Sequence, residues 1–212
     1  MSTSHNISDA LQIIGCSARK NGNTDHAAKL FAQGYTAAGG KTETRFIRDY
    51  TVRHCIACDT CAKPGNTKCV QESKDDSSIL YSIMMEAPAL FITSPIYFYH
   101  LPSIFKTFID RCQCFWFRQH NQAPYVLSLP PRKAYINLVA ARPVGEQLFQ
   151  GSLLTLKYFL TPFNISLAEP LLIYGKDGPS DLINDEETVD RVIQYGKDAY
   201  NDIIPLWDSA QQ

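Results

Sequence analysis

Short apolar runs alternate with amphipathic stretches along most of the chain. Leu11-Gln12-Ile13-Ile14-Gly15-Cys16 is an apolar run that ends in small residues, as a first buried strand does. Over 24–39, Ala27, Leu30, Phe31, Tyr35 and Ala38 recur at helical spacing, and Gly39-Gly40 closes the helix. Thr42, Thr44 and Phe46 alternate with charged residues, which predicts a second strand over 42–47. A helix over 75–86 carries Ile79, Leu80, Ile83 and Met84 on one face. The run 89–93 is apolar enough for a central third strand. Pro102 opens a helix over 102–112 with Ile104, Phe105, Phe108 and Ile109 inward. A fourth strand over 134–139 precedes a helix over 147–160, which Pro162 closes. A fifth strand over 165–173 contains Pro170 as an irregularity. The closing helix, 186–207, shows Val189, Val192, Ile193, Ala199, Tyr200 and Ile203 on its face.

Strand–helix alternation of this kind predicts a parallel sheet covered by helices on both faces. Five strands suit the doubly wound order 2-1-3-4-5. No internal repeat or linker divides the chain, so it is expected to form a single domain over 1–212. A cysteine-rich insertion sits at about 50–72. The stretch 114–132, with Phe115-Trp116-Phe117, Pro124 and Pro130-Pro131, is expected to be a long connection, and such loops are often functional.

Charge removes several function classes. The 212 residues carry 20 Lys and Arg against 21 Asp and Glu, so no basic excess speaks for nucleic acid. The longest apolar runs, such as 87–93, are too short to cross a bilayer, and residues 1–9 lack the apolar core of a signal peptide. The expectation is a cytoplasmic protein. Seven cysteines cannot all pair internally, and Cys55, Cys58, Cys61 and Cys69 crowd together where a disulfide framework would spread out.

In open α/β sheets ligands bind at the carboxyl ends of the strands, at the switch in strand order. The loop leaving the first strand reads Ser17-Ala18-Arg19-Lys20-Asn21-Gly22-Asn23-Thr24. A phosphate dianion needs N–H groups, hydroxyls and no carboxylate. Ser17 and Thr24 offer hydroxyls, Arg19 and Lys20 add charge, and Asn21 and Asn23 are polar. Gly22 is expected to allow a tight turn and close backbone approach, and Thr24 falls where a helix start exposes free N–H donors. Neither G-x-x-x-x-G-K-[ST] nor G-x-G-x-x-G is present. The plain alternative is a polar turn with an N-cap.

The loop after the third strand reads Ser94-Pro95-Ile96-Tyr97-Phe98-Tyr99-His100-Leu101-Pro102, with Lys106 and Asp110-Arg111 beyond it. Tyr97, Phe98 and Tyr99 could wall a flat ring, with the backbone of Ser94, Pro95 and Ile96 serving its polar edge. The alternative is aromatics that cap the core or fill an interface.

These two segments, 15–24 and 94–111, resemble the NADPH-dependent FMN reductase family, and within it the iron–sulfur flavoproteins. The likeness extends over about the first 112 residues. It implies a flavodoxin-like three-layer fold, non-covalent FMN, a phosphate on loop 17–24 and an isoalloxazine against loop 94–99. It also implies a homo-oligomer, dimer or tetramer, with the cysteine segment of one subunit near the flavin of another. Ala140-Ala141-Arg142-Pro143-Val144-Gly145 departs from the Gly-rich loop that related chains often carry there.

Cys55-x2-Cys58-x2-Cys61-x7-Cys69 could wrap a [4Fe–4S] cubane through four thiolates. It is not the bacterial ferredoxin run, but it resembles the compact motif of the iron–sulfur flavoproteins. Structural zinc and free, redox-active thiols are the alternatives. Cys16 reads as core. Cys112 and Cys114 are expected in an interface or above the flavin. His54 and His100 lie in no metal-binding pattern, the Asp75-Asp76 pair suits a helix start, and no G-x-S-x-G marks a hydrolase.

The expected function is electron transfer through FMN, with no catalytic acid or base assigned. Donors would be NADH, NADPH or ferredoxin, and acceptors small molecules such as quinones or proteins. A flavodoxin-type shuttle or flavin sensor is the rival class, and the near-neutral charge and long loops count against it.

Overall fold

The computed structural model describes residues 9–63, 65–66 and 68–210, with side chains as far as Pro205. Strands β1 (Leu11–Gly15), β2 (Thr42–Phe46), β3 (Leu90–Pro95) and β4 (Arg132–Val139) run parallel in the order 2-1-3-4. Two short strands, β5 (Ile165–Leu167) and β6 (Leu171–Ile173), both pair with β4, β5 near its start and β6 near its end. The sheet therefore has six strands in the doubly wound order, where the sequence pattern predicts five. The difference is confined to one edge. Pro170 has no N–H for the ladder, so the edge strand breaks there. It resumes at Leu171, whose carbonyl accepts a hydrogen bond from the Asn137 amide at 3.0 Å.

Helices cover both faces. In chain order they are α1 (Asn23–Ala37), α2 (Ser77–Glu86), α3 (Ser103–Arg111), α4 (Gln113–His120), α5 (Pro124–Leu127), α6 (Gln150–Leu160) and α7 (Glu186–Ala210). Successive strand residues point to opposite sides. Ile14, Ile92, Ile136 and Leu138 meet α2, α3, α4 and α6. Ile13, Phe91, Tyr135 and Val139 meet α1 and α7, with Phe31 stacked 3.8 Å above Phe91. Helices α1 and α7 touch backbone to backbone. A Cβ on Gly34 would fall 1.9 Å from the Ile193 carbonyl oxygen, and one on Gly196 2.3 Å from that of Phe31. That contact packs α1 firmly and so fixes where its N-terminus lies.

The stretch 114–132 is not the long loop that its sequence suggests, because α4 and α5 occupy much of it. Cys114, Phe115 and Arg118 turn inward, and Phe115 packs on Tyr81 and Phe163 at 5.0 and 4.7 Å. Trp116 stays exposed on the outer side, which erases the polar–apolar contrast that reveals a helix. Cys112 and Cys114 belong to the core of this chain. Among the described residues no helix is long and apolar enough to cross a membrane.

Candidate functional site

The loops leaving β1 and β3 diverge at the carboxyl edge of the sheet, where the strand order reverses. Between them lies a crevice of about 70 Å³. Ser17, Arg19, Gly22, Asn23 and Thr24 line one side, and Pro95, Ile96 and Tyr97 the other. Val139, Ala141, Lys176 and Asp177 complete it.

The first loop is folded by its own polar groups. The Ser17 hydroxyl accepts the Arg19 N–H at 3.0 Å. Asn21 takes the left-handed conformation, with φ 55°, and its N–H donates to Asp25 Oδ2 at 2.8 Å. Gly22 does not make the tight turn expected of it. Its φ is −94°, open to any residue, and a Cβ there would meet the Arg19 side chain at 3.4 Å. Asparagine tolerates the left-handed region because its side chain is short and polar, so the turn falls one residue earlier. The N–H groups of Gly22, Asn23 and Thr24 take no partner among the described residues. All three residues are buried, and together they are the positive end of α1.

Asn23 does two jobs. Its backbone faces the crevice start, while its side chain is spent on the last loop. The amide donates to the carbonyls of Lys176 and Gly178 at 3.1 and 2.8 Å, and Oδ1 accepts the Leu182 N–H at 3.0 Å. This brings Lys176 and Asp177 to the crevice, a contribution the sequence reading missed. Asp25 is buried one residue beyond the crevice. Arg48 grips both of its carboxylate oxygens, at 2.9 and 2.8 Å.

The second loop makes a tight turn. Tyr97 and His100 exchange backbone hydrogen bonds of 2.9 and 3.0 Å, with Phe98 and Tyr99 at φ 49° and 63°. Left-handed backbone costs about 1–2 kcal/mol for each such residue. Pro95, Ile96 and Tyr97 reach the crevice, but Ser94, Phe98 and Tyr99 do not line it. Ser94 is buried with its hydroxyl on the Pro95 carbonyl, Phe98 is fully exposed, and Tyr99 lies 5.8 Å from the Arg142 guanidinium. His100 is a packing residue: Nδ1 accepts the Leu101 N–H at 2.9 Å and Nε2 pairs with the Thr155 hydroxyl at 3.1 Å.

A second cavity, of about 410 Å³, holds Cys55, Cys58, Cys61 and Cys69 in its wall, with Cys114 and Arg111 beside them. Cys55 and Cys58 are exposed, and Cys61 and Cys69 are half-buried. Burial raises the Cys61 thiol above its ordinary range, and the neighbouring Cys69, Cys55 and Cys58 sulfurs push it further the same way. Hydrogen bonds from Thr60 lower the Cys58 thiol. Among the described residues, no group of three or more His, Cys, Asp or Glu side chains is arranged to hold a metal ion. A cubane asks for less convergence, because each thiolate binds a different iron. The four thiols share one cavity wall without converging on a metal-sized site.

The loop carrying these cysteines is clasped at its neck. Thr51 and Arg53 donate their N–H groups to Asp76 and Asp75 at 2.8 and 2.9 Å, and Gln71 donates to the His54 carbonyl at 2.8 Å. Arg111 is 1% exposed, pairs with Asp75 and bonds the Arg53 carbonyl. Asp75 does accept the Ser77 N–H at the start of α2, as its position suggested. Its larger role is as Arg111's counter-ion, and burial, which opposes ionisation, is outweighed by Ser77, Arg111 and the Arg53 N–H. The carboxyl is held at about 2.

Fold and crevice together define a flavodoxin-like α/β protein with free N–H donors at its switch point. The chain belongs to the NADPH-dependent FMN reductase family, whose model matches residues 11–130. It is similar to an iron–sulfur flavoprotein of Archaeoglobus fulgidus, 32% identical over 102 residues, which are 48% of this chain and 44% of the relative. The match thus spans less than half of that relative's length. The fold is similar to that of an NAD(P)H:quinone oxidoreductase from Methanothermobacter marburgensis, at TM-score 0.68 and 15% identity over 90% of this chain and 95% of that one. It is also similar to a flavodoxin from the domain Archaea, at TM-score 0.54 and 12% identity over 92% and 98% of the two chains.

Proposed function

We propose that this protein is an FMN-dependent oxidoreductase of the iron–sulfur flavoprotein kind. It would take electrons from NADH, NADPH or reduced ferredoxin and hand them to a small-molecule acceptor such as a quinone, or to a protein. The observation that carries the reading is the set of buried, unpartnered N–H groups at Gly22, Asn23 and Thr24, set at the switch point of a chain of this family. They suit a phosphate, and the crevice has room for a phosphoryl group but not for a tricyclic ring.

Bound FMN would supply one- and two-electron chemistry. The chain's part is to hold and orient it. Ser17, Arg19, Gly22, Asn23 and Thr24 would hold the phosphate by N–H groups, hydroxyls and charge, while Asn21, which does not line the crevice, makes the turn that carries them. Pro95, Ile96 and Tyr97 would place the ring, while Ser94, Phe98 and Tyr99 shape the loop that carries them. Cys55, Cys58, Cys61 and Cys69 would hold a [4Fe–4S] cluster and relay single electrons. The likeness to iron–sulfur flavoproteins supports that assignment. Part of the same proposal is a cytoplasmic homodimer or homotetramer of one domain, with residues 50–72 as an insertion in it.

The test is the absorption spectrum of anaerobically purified protein with iron and sulfide counts, followed by steady-state oxidation of NADH and NADPH. Flavin bands with four irons per chain and turnover support the whole reading. Flavin bands without iron would remove the cluster alone. A colourless protein that stays colourless in excess FMN would end the proposal.

A further inference from the structure

Arg48 lies outside both loops, just past the end of β2, yet its guanidinium is buried beneath the first of them. Its side chain is 10% exposed, against 3% for that of its partner Asp25. Nη1 donates to the Ser17 carbonyl at 3.1 Å, the Arg19 carbonyl at 3.2 Å and Asp25 Oδ1 at 2.9 Å, and Nη2 donates to Asp25 Oδ2 at 2.8 Å. The Phe46 ring lies 4.0 Å from the guanidinium carbon and holds it in place.

We infer that Arg48 is a positioning residue for the phosphate of FMN, an inference that rests on the function proposed above. In a trans peptide the carbonyl and the following N–H point opposite ways. By gripping the Ser17 and Arg19 carbonyls, Arg48 turns the N–H groups of Ala18 and Lys20 away from itself. Neither N–H has a partner among the described residues. Through Asp25, which accepts the Asn21 N–H, the same guanidinium also sets the left-handed turn ahead of the helix. Its charge neutralises a buried carboxylate one residue beyond Thr24, which would otherwise repel a dianion. Lysine could not replace it, because one ammonium cannot span the two carbonyls and both carboxylate oxygens in a planar fork.

A buried ion pair that merely ties β2 to α1 would affect all ligands of the fold alike. The experiment therefore compares a phosphorylated with an unphosphorylated flavin. Wild-type and R48Q apoprotein are titrated with FMN and with riboflavin, and Kd is read from flavin fluorescence. The expectation is that R48Q raises the Kd for FMN about tenfold or more, equivalent to about 1.4 kcal/mol, and changes the Kd for riboflavin by less than about twofold. R48Q leaves Asp25 buried without its counter-ion and could fail to fold. The double variant D25N/R48Q, neutral at both positions, is then read by the same ratio. An unchanged ratio of the two Kd values, or an equal loss for both flavins, would overturn the inference while leaving FMN binding intact. Wild-type protein that binds no FMN would overturn the function and this inference together.

Discussion

Replacing Asp75 by Asn tests the clasp beneath the cysteine loop. The Asp75 and Arg111 side chains are both fully buried. Both Asp75 oxygens act as acceptors, Oδ1 from Ser77 and Oδ2 from Arg53 and Arg111. An amide has one acceptor and must turn its NH2 group on a donor. It also leaves Arg111 buried without a counter-charge, and breaking such a pair costs about 3–5 kcal/mol. For a chain of this size that lowers Tm by about 10 °C at pH 7. The effect depends on pH with a definite sign. The folded carboxyl, held at about 2, lies below its unfolded value. Its contribution is therefore full above about pH 4 and fades as pH falls toward 2. With allowance for solvent near the loop neck, that contribution is about 1–2 kcal/mol. Urea unfolding at pH 7 and at pH 3 gives the comparison. The gap between wild type and D75N is expected to be wide at pH 7 and narrower at pH 3. A gap below about 1 kcal/mol at pH 7, or one that does not shrink in acid, would refute the reasoning.

Other outcomes follow from the same geometry. G34A, whose new methyl would strike the Ile193 backbone, is expected to destabilise the α1–α7 contact by about 3 kcal/mol or more in urea unfolding. Wild-type stability in that variant would contradict the close approach. G22A meets only the Arg19 side chain, so its urea midpoint is expected to stay near wild type, while FMN affinity falls about tenfold if the phosphate sits against that residue. Alkylation of iron-free protein, mapped by mass spectrometry, should modify the exposed Cys55 and Cys58 first. Cys16, Cys112 and Cys114, all buried, should react last, and early labelling of Cys16 would contradict the packing.

Most of the architecture was legible because hydrophobic period reports burial directly. The order of β1 to β4 and the faces of α1 and α3 need no knowledge of distant partners, whereas on α2 the expected Ile79 is exposed and Tyr81 takes the inward place. The first loop was legible in its types of group, but the residue making its turn was misjudged, since glycine is only the commonest answer to a left-handed backbone. The aromatic run 97–99 looked uniform in sequence, yet only Tyr97 reaches the crevice. Which ring turns inward depends on the Tyr97–His100 hairpin, and no spacing rule encodes that. Arg48 and Lys176 were not legible at all, and Arg111 was noted only beside the second loop, not as the clasp of the cysteine loop. Each acts through a partner far along the chain, and a lone cation in sequence looks like surface.

The central claim is that a phosphate dianion seats on the start of α1. A crystal structure of the protein soaked with FMN tests it most directly. The phosphate oxygens are expected within hydrogen-bonding reach of the Gly22, Asn23 and Thr24 N–H groups, with the ring beside Tyr97. FMN bound with its phosphate elsewhere, and those three N–H groups still without a ligand, would contradict it.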